Sequence, residues 1–138
     1  MIRRRRALVI DDDDSTRFVL SQALGDLGFD VVSAVDGADA PQITLDEAFD
    51  LLVVDLYMPG MNGFELLRQL RQADSRLLPA RRTAPTVPIV VVSGESQAAS
   101  IANAKRLGAD AYLVKPVDIH VLASTVLGLL KAKPASLS

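Results

Sequence analysis

Leu51-Leu52-Val53-Val54 is an unbroken apolar run that ends in a carboxylate, Asp55, with the turn formers Pro59, Gly60, Asn62 and Gly63 close behind. An apolar run without alternation reads as a strand buried on both faces, the kind found in parallel sheets covered by helices on each side. Asp55 then stands at the carboxyl end of a central strand. In an open α/β sheet that edge carries the ligand crevice.

The same pattern recurs along the chain. Ala7 to Ile10 is a short apolar run cut off at Asp11, and Ser15 to Leu27 places Phe18, Val19, Ala23, Leu24 and Leu27 at helical spacing. Asp14 or Ser15 serves as its cap and Gly28 as its stop. Phe29 to Ala34 reads as a second strand. Asp36-Gly37 opens a second helix running to about Phe49, which Pro41 makes start late or bend. Phe64, Leu66, Leu67 and Leu70 mark a third helix ending near Ala73. Asp74 to Pro88, with three prolines, is an irregular loop longer than compact α/β units need. Its arginines, Arg76, Arg81 and Arg82, read as a solvated insertion. Ile89 to Val92 is a fourth strand ending in Ser93-Gly94, and Gln97 to Leu107 is an Ala-rich helix stopped by Gly108. Ala111 to Val114 is a fifth strand ending in Lys115-Pro116, and Asp118 caps a last helix through Leu130.

Strand and helix alternate five times, which predicts an α/β fold: a doubly wound parallel sheet with five helices on both faces. Five strands suit the order 2-1-3-4-5, with the crevice between strands one and three. That order brings Asp11, Asp12 and Asp55 together and sets Ser93 and Lys115 on the same edge.

The chain has 138 residues, 49% of them apolar, and no cysteine. Residues 1–133 are expected to form one domain, with 134–138 a polar tail or the start of a linker. Disulfides, thiolate metal sites and a cysteine nucleophile are excluded. No apolar run approaches a membrane span and the start lacks a signal-peptide core, so a cytoplasmic protein without membrane association is expected. The net charge of -2 hides two extremes, Arg3 to Arg6 and Asp11 to Asp14. The basic run, with no aromatics beside it, reads as a solvated lead-in to the first strand rather than an arm for nucleic acid.

Three converging carboxylates repel unless a cation sits among them, and with oxygen ligands the natural ion is Mg2+ or Mn2+. Lys115 and Ser93 complete a cradle for a transferring phosphoryl group. Within it, Asp55 is placed to act as nucleophile and form an acyl phosphate. Asp11 and Asp12 are an adjacent pair suited to the metal, while Asp14 reads as a helix cap.

With these residues in register, the chain over residues 6 to 131 resembles the receiver domain of two-component response regulators. The matching residues are Asp11-Asp12 after an apolar strand, Asp36-Gly37, Asp55 with Met58-Pro59-Gly60-Met61-Asn62-Gly63, Ser93-Gly94 and Lys115-Pro116. The resemblance implies phosphorylation of Asp55 by a histidine kinase or histidine phosphotransfer protein, or slowly by small phosphodonors. It implies that Asp11, Asp12, Asp55 and the backbone carbonyl of Tyr57 hold Mg2+, that Ser93 and Lys115 contact the phosphoryl oxygens, and that Lys115-Pro116 is cis. On phosphorylation Ser93 would shift and Tyr112, the aromatic switch position, would turn inward. The surface of the fourth helix, fifth strand and fifth helix would change for a downstream protein target. Serine at 93 and glycine at 94 depart from the family's commoner threonine and alanine, and Gly94 is expected to loosen the switch. Tyr57 and Glu95 would influence the lifetime of the aspartyl phosphate.

Such a domain is a signalling switch rather than a turnover enzyme. The competing readings are a haloacid-dehalogenase-like phosphohydrolase using Asp11 and Asp13, and a degenerate receiver that is never phosphorylated. Lys131 to Ser138 is too short for an output domain, which leaves a stand-alone receiver or a piece of a longer chain.

Overall fold

The computed structural model describes residues 3–72 and 81–132. Strands β1 (Arg6–Ile10), β2 (Asp30–Ala34), β3 (Leu51–Val54), β4 (Ile89–Ser93) and β5 (Ala111–Val114) form one sheet in the order β2-β1-β3-β4-β5. Every neighbouring pair is parallel. The helices are α1 (Asp14–Asp26), α2 (Ala40–Asp46), α3 (Gly63–Arg71), α4 (Ala98–Arg106) and α5 (Ile119–Ala132).

Successive strand side chains point to opposite faces, and here both faces are apolar. Leu8, Ile10, Leu52, Val54, Ile89 and Val91 pack with Ala40, Leu66, Leu67, Leu70 and Ala104 of α2, α3 and α4. Ala7, Val9, Leu51, Val53, Val90 and Val92 pack with Leu20 and Leu24 of α1 and Leu122, Val126 and Leu130 of α5. That two-sided core explains why the strand runs show no alternation. The register pairs Ile10 with Val54 and Ser93 with Val114. The next residues, Asp11 beside Asp55 and Lys115 beyond Ser93, therefore leave the sheet at one edge.

Several boundaries differ from the sequence expectation. The cap of α1 is Asp13, neither Asp14 nor Ser15: its extended backbone lets the carboxylate accept the Thr16 N–H at 3.1 Å. Asp14 lies in the first turn, its side chain 92% exposed and paired with Arg17. Strand β2 begins one residue after Phe29, and β4 includes Ser93. The second helix does start late. Asp36 caps a short 3-10 turn over Gly37–Asp39, and α2 follows with Pro41 in its first turn, where no N–H is missed. It ends at Asp46, short of Phe49, because Arg82 and Thr83 donate their N–H groups to Leu45 O and Thr44 O. Thr83 Oγ1 also donates to Glu47 O and accepts the Phe49 N–H. Asp118 caps α5 as expected, accepting from His120 N and Val121 N.

Ala73, Arg76 and Pro79 lie outside the described residues, as do 134–138. Of the loop arginines, Arg82 is exposed, but Arg81 is no solvated decoration. It donates to Gln69 O, Leu70 O and Gln72 O at the end of α3 and to Thr44 Oγ1 in α2. The basic run is likewise largely paired: Arg3 with Asp50, Arg4 with Asp30 and Arg6 with Glu47, with the Arg6 guanidinium 4.8 Å over the Phe49 ring.

Candidate functional site

Asp11 follows β1 and is 1% exposed; Asp55 follows β3 and is 4% exposed. Their backbones are tied into the sheet edge by Asp11 N to Ala34 O at 3.2 Å and Asp55 N to Ile10 O at 2.9 Å. Each carboxylate then uses one oxygen to shape its own loop. Asp11 Oδ1 accepts the Asp13 N–H at 2.9 Å and Asp55 Oδ1 accepts the Tyr57 N–H at 3.0 Å. The other oxygens turn inward together, and Lys115 Nζ sits 2.9 Å from Asp11 Oδ2 and 3.2 Å from Asp55 Oδ2. The shorter contact is an ion pair off the hydrogen-bond direction, so Asp11 Oδ2 is buried without a directed partner.

Asp12 is exposed, yet its carboxylate joins the other two. Ligand atoms of Asp11, Asp12 and Asp55 all lie within 4.8 Å of one another. Three hard oxygen donors with one orphaned buried oxygen fit a small divalent cation, which would satisfy that oxygen and the surplus negative charge.

The electrostatics follow from the shared lysine. Burial pushes the Asp55 carboxyl above the usual carboxylate range, and the Tyr57 N–H and the Lys115 charge pull it back only in part. Burial alone would lower the Lys115 ammonium, but its close contacts with Asp11 and Asp55 and the charges of both aspartates outweigh it and hold its pKa above the usual lysine value. Asp55 and Lys115 can both be raised because the lysine faces two carboxylate charges, whereas its single charge returns less to Asp55 than desolvation takes.

Ser93 is fully buried, and its Oγ accepts the Glu95 N–H at 3.1 Å. The Glu95 carbonyl accepts the Tyr112 hydroxyl at 2.7 Å, linking Ser93, the β4–α4 loop and β5. Tyr112 is partly buried and packs against the core cluster that includes Ala104 of α4. Burial raises its phenol pKa above 10.0. The Lys115-Pro116 peptide is cis. Tyr57 is 47% exposed and meets Phe64 edge to face, ring centroids 6.1 Å apart.

Sequence reasoning missed three residues here. Arg17 donates to the Asp11 carbonyl at 2.8 Å, and its spacing of three from Asp14 was a usable signal. Asp13 caps α1. Gly63 stands so close to Leu56 that a Cβ would lie 2.2 Å from its carbonyl oxygen, which no local pattern announces.

A five-stranded parallel sheet with an acidic centre and a lysine at its carboxyl edge defines the receiver class, and the family model described as "Response regulator receiver domain" matches residues 7–127. The chain belongs to that family, and it is a phosphoacceptor domain of two-component signalling. It is 35% identical to the chemotaxis protein CheY of Pseudomonas aeruginosa over 122 residues, 88% of this chain and 92% of that one. It is 33% identical to protein PilH of the same organism over 125 residues, 91% and 97% of the two chains. Among solved structures it resembles the chemotaxis protein CheY4 of Vibrio cholerae, with a TM-score of 0.77 and 29% identity over 93% of this chain and 100% of that one. The chain spans half the length of other relatives it matches, such as the probable transcriptional regulator ycf27 of Porphyridium aerugineum, 32% identical over 130 residues and 94% of this chain. Receiver domains bind Mg2+ at an acidic pocket, are phosphorylated on aspartate, and interact with histidine kinases or phosphotransfer proteins and with downstream targets. They are signalling domains, generally not enzymes. Among the described residues no helix is long and apolar enough to cross a membrane.

Proposed function

We propose that Asp55 is the phosphoacceptor, that Asp11, Asp12, Asp55 and the Tyr57 carbonyl hold Mg2+ or Mn2+, and that Ser93 and Lys115 bind the phosphoryl oxygens. The observation that carries this reading is the Asp55 carboxylate, buried beside Asp11 with one oxygen fixed by the Tyr57 N–H and the other on Lys115. A carboxylate oriented in this way is a positioned nucleophile. It attacks the phosphorus of a phosphohistidine or acyl phosphate, the bond to the leaving group breaks, and an aspartyl phosphate forms. The cation supplies charge neutralisation for the phosphoryl oxygens when bound. Lys115 exchanges its carboxylate contact for a phosphoryl oxygen, and the Ser93 hydroxyl donates to another. The domain thus assists its own phosphorylation and dephosphorylation, with the exposed Tyr57 and the half-buried Glu95 tuning water access.

The phosphohydrolase reading is disfavoured because the Asp13 carboxylate is taken up by Thr16 at the start of α1. The donor is a protein, a histidine kinase or phosphotransfer protein. In support, seven exposed large apolar residues, Phe18, Val19, Val35, Tyr57, Val114, Ile119 and Val121, lie at strand carboxyl ends, in the loops that follow, in the second turn of α1 or in the first turn of α5, at the end of the sheet that carries the acidic centre. Output runs from Ser93 through Glu95 and Tyr112 to the face of α4, β5 and α5 and a downstream protein. The receiver unit occupies residues 1–133 and works in the cytoplasm.

The test is incubation with Mg2+ and acetyl phosphate or phosphoramidate, followed by intact mass. The wild-type chain gains one phosphoryl group and Asp55→Asn gains none, whereas full incorporation by Asp55→Asn sinks the assignment.

A further inference from the structure

Arg17 lies on α1 outside the acidic set, yet its side chain is only 16% exposed. Its Nη1 donates to Asp11 O at 2.8 Å and its Nη2 pairs with Asp14, while its own N–H bonds Asp13 O in the first helical turn. The Asp11 carbonyl belongs to the peptide that joins Asp11 to Asp12. That peptide plane sets the direction in which the Asp12 side chain leaves the backbone. Asp12 is exposed, whereas Asp11 is held by the sheet, the Asp13 N–H and Lys115. Convergence of Asp12 on Asp11 and Asp55 therefore rests on the peptide plane before it.

We propose that Arg17 is a positioning residue for the divalent-cation site: it pins the Asp11–Asp12 peptide to the frame of α1 and so holds Asp12 in the ligand cluster. The inference rests on the assignment of Asp11, Asp12 and Asp55 as the cation site. Outer partners that orient metal ligands govern affinity in this way. The guanidinium charge by itself opposes a dication. Asp14, paired with it, offsets that charge and leaves the orienting contact as the larger effect. A lysine at 17 keeps the charge but lacks the planar fork that reaches a carbonyl and a carboxylate at once.

The experiment titrates the full chain with Mn2+ alone, following free ion by electron paramagnetic resonance. It is run at about 1 M salt, where a Debye length of about 3 Å removes most of the charge effect. Arg17→Met weakens binding about tenfold and Arg17→Lys recovers only part of the loss. Asp14→Asn, which leaves the carbonyl contact in place, changes affinity less than about twofold, far below the effect of an outer ligand partner. With acetyl phosphate, Arg17→Met raises the Mg2+ concentration for half-maximal rate and retains the rate at saturating Mg2+; a merely structural role would lower the rate at saturating Mg2+ as well. Unfolding in chelator checks that the variants are folded, and Arg17→Lys serves where Arg17→Met is not. Arg17→Met binding Mn2+ as tightly as wild type overturns this proposal alone, and so does Asp14→Asn matching its loss. No Mn2+ binding by the wild-type chain overturns the cation site as well.

Discussion

Gly63 shows how a single hydrogen-sized side chain supports the centre. A Cβ there would stand 2.2 Å from Leu56 O and 2.4 Å from Leu56 Cα, both backbone atoms in the segment that follows Asp55. Backbone of that kind cannot yield by rotamer change, so Gly63→Ala displaces either α3 or the loop behind Asp55. Urea unfolding is expected to register a loss of about 1–3 kcal/mol, the usual range for overpacking. Gly94, by contrast, has open space around its Cβ position. Gly94→Ala should stay within about 0.5 kcal/mol, the range for changes at unencumbered positions. Tyr112 carries the pH dependence that belongs to this scale. Burial, the largest cause, raises its folded pKa above 10.0, so the fold favours the neutral phenol. Its contribution to stability is complete below the unfolded value and is lost as pH rises through the folded one. In a Tyr57→Phe chain Tyr112 is the sole tyrosine, and its ultraviolet titration should have a midpoint above 10.0. A midpoint at or below that value refutes the packing described.

At the scale of elements, the helix and loop ends are held by side chains that reach across the chain. Asn62 caps α3, its Oδ1 accepting from Phe64 N at 3.1 Å and Glu65 N at 3.3 Å. The cap fixes where the loop after Asp55 hands over to helix. Asn62→Ala should lower stability by about 1 kcal/mol, whereas Asn62→Asp, an equally good cap facing the positive end of the helix, should leave chemical denaturation nearly unchanged. At the opposite end of α3 two arginines take over. Arg71 donates to Gly108 O, Pro85 O and Val87 O and pairs with Asp110 at 2.8 Å. Burial pushes its guanidinium pKa down, with Asp110 opposing. Arg81 closes the last carbonyls of the same helix and is likewise lowered by burial. These contacts sit at the amino-terminal edge of the sheet, opposite the acidic centre, and leave the carboxyl-terminal loops free to serve the site.

The whole molecule concentrates negative charge where its core ends. One lysine answers two buried carboxylates, and in the proposed reading a divalent ion would add the charge they lack. Mg2+ at about a hundredfold over its dissociation constant should stabilise the fold by about 2.7 kcal/mol, seen as a rise in Tm of several degrees. Chelator should reverse the rise, and the exposed Asp12→Asn should abolish it with little change in chelator alone. A Tm indifferent to Mg2+ in the wild-type chain would mean that the acidic centre takes no ion. Read along the chain, Leu51 to Val54 and its four companion runs already determined a parallel sheet, its helices and the carboxylates at its edge. That much was legible because hydrophobic period, caps and turn formers act between residues a few places apart. Asp36-Gly37 likewise announced its turn, and Pro41 announced a late helix. Only the tertiary structure decided that Asp13 rather than Asp14 caps α1, that α2 stops at Asp46 against Thr83, that Arg81 is an anchor, and that Gly63 touches Leu56. It also placed Arg17 on the peptide between Asp11 and Asp12 and Tyr112 on the Glu95 carbonyl. The physical reason is the same in each case: these bonds depend on how close packed elements approach one another, and spacings fixed to within a fraction of an ångström are set by the whole core rather than by neighbouring letters.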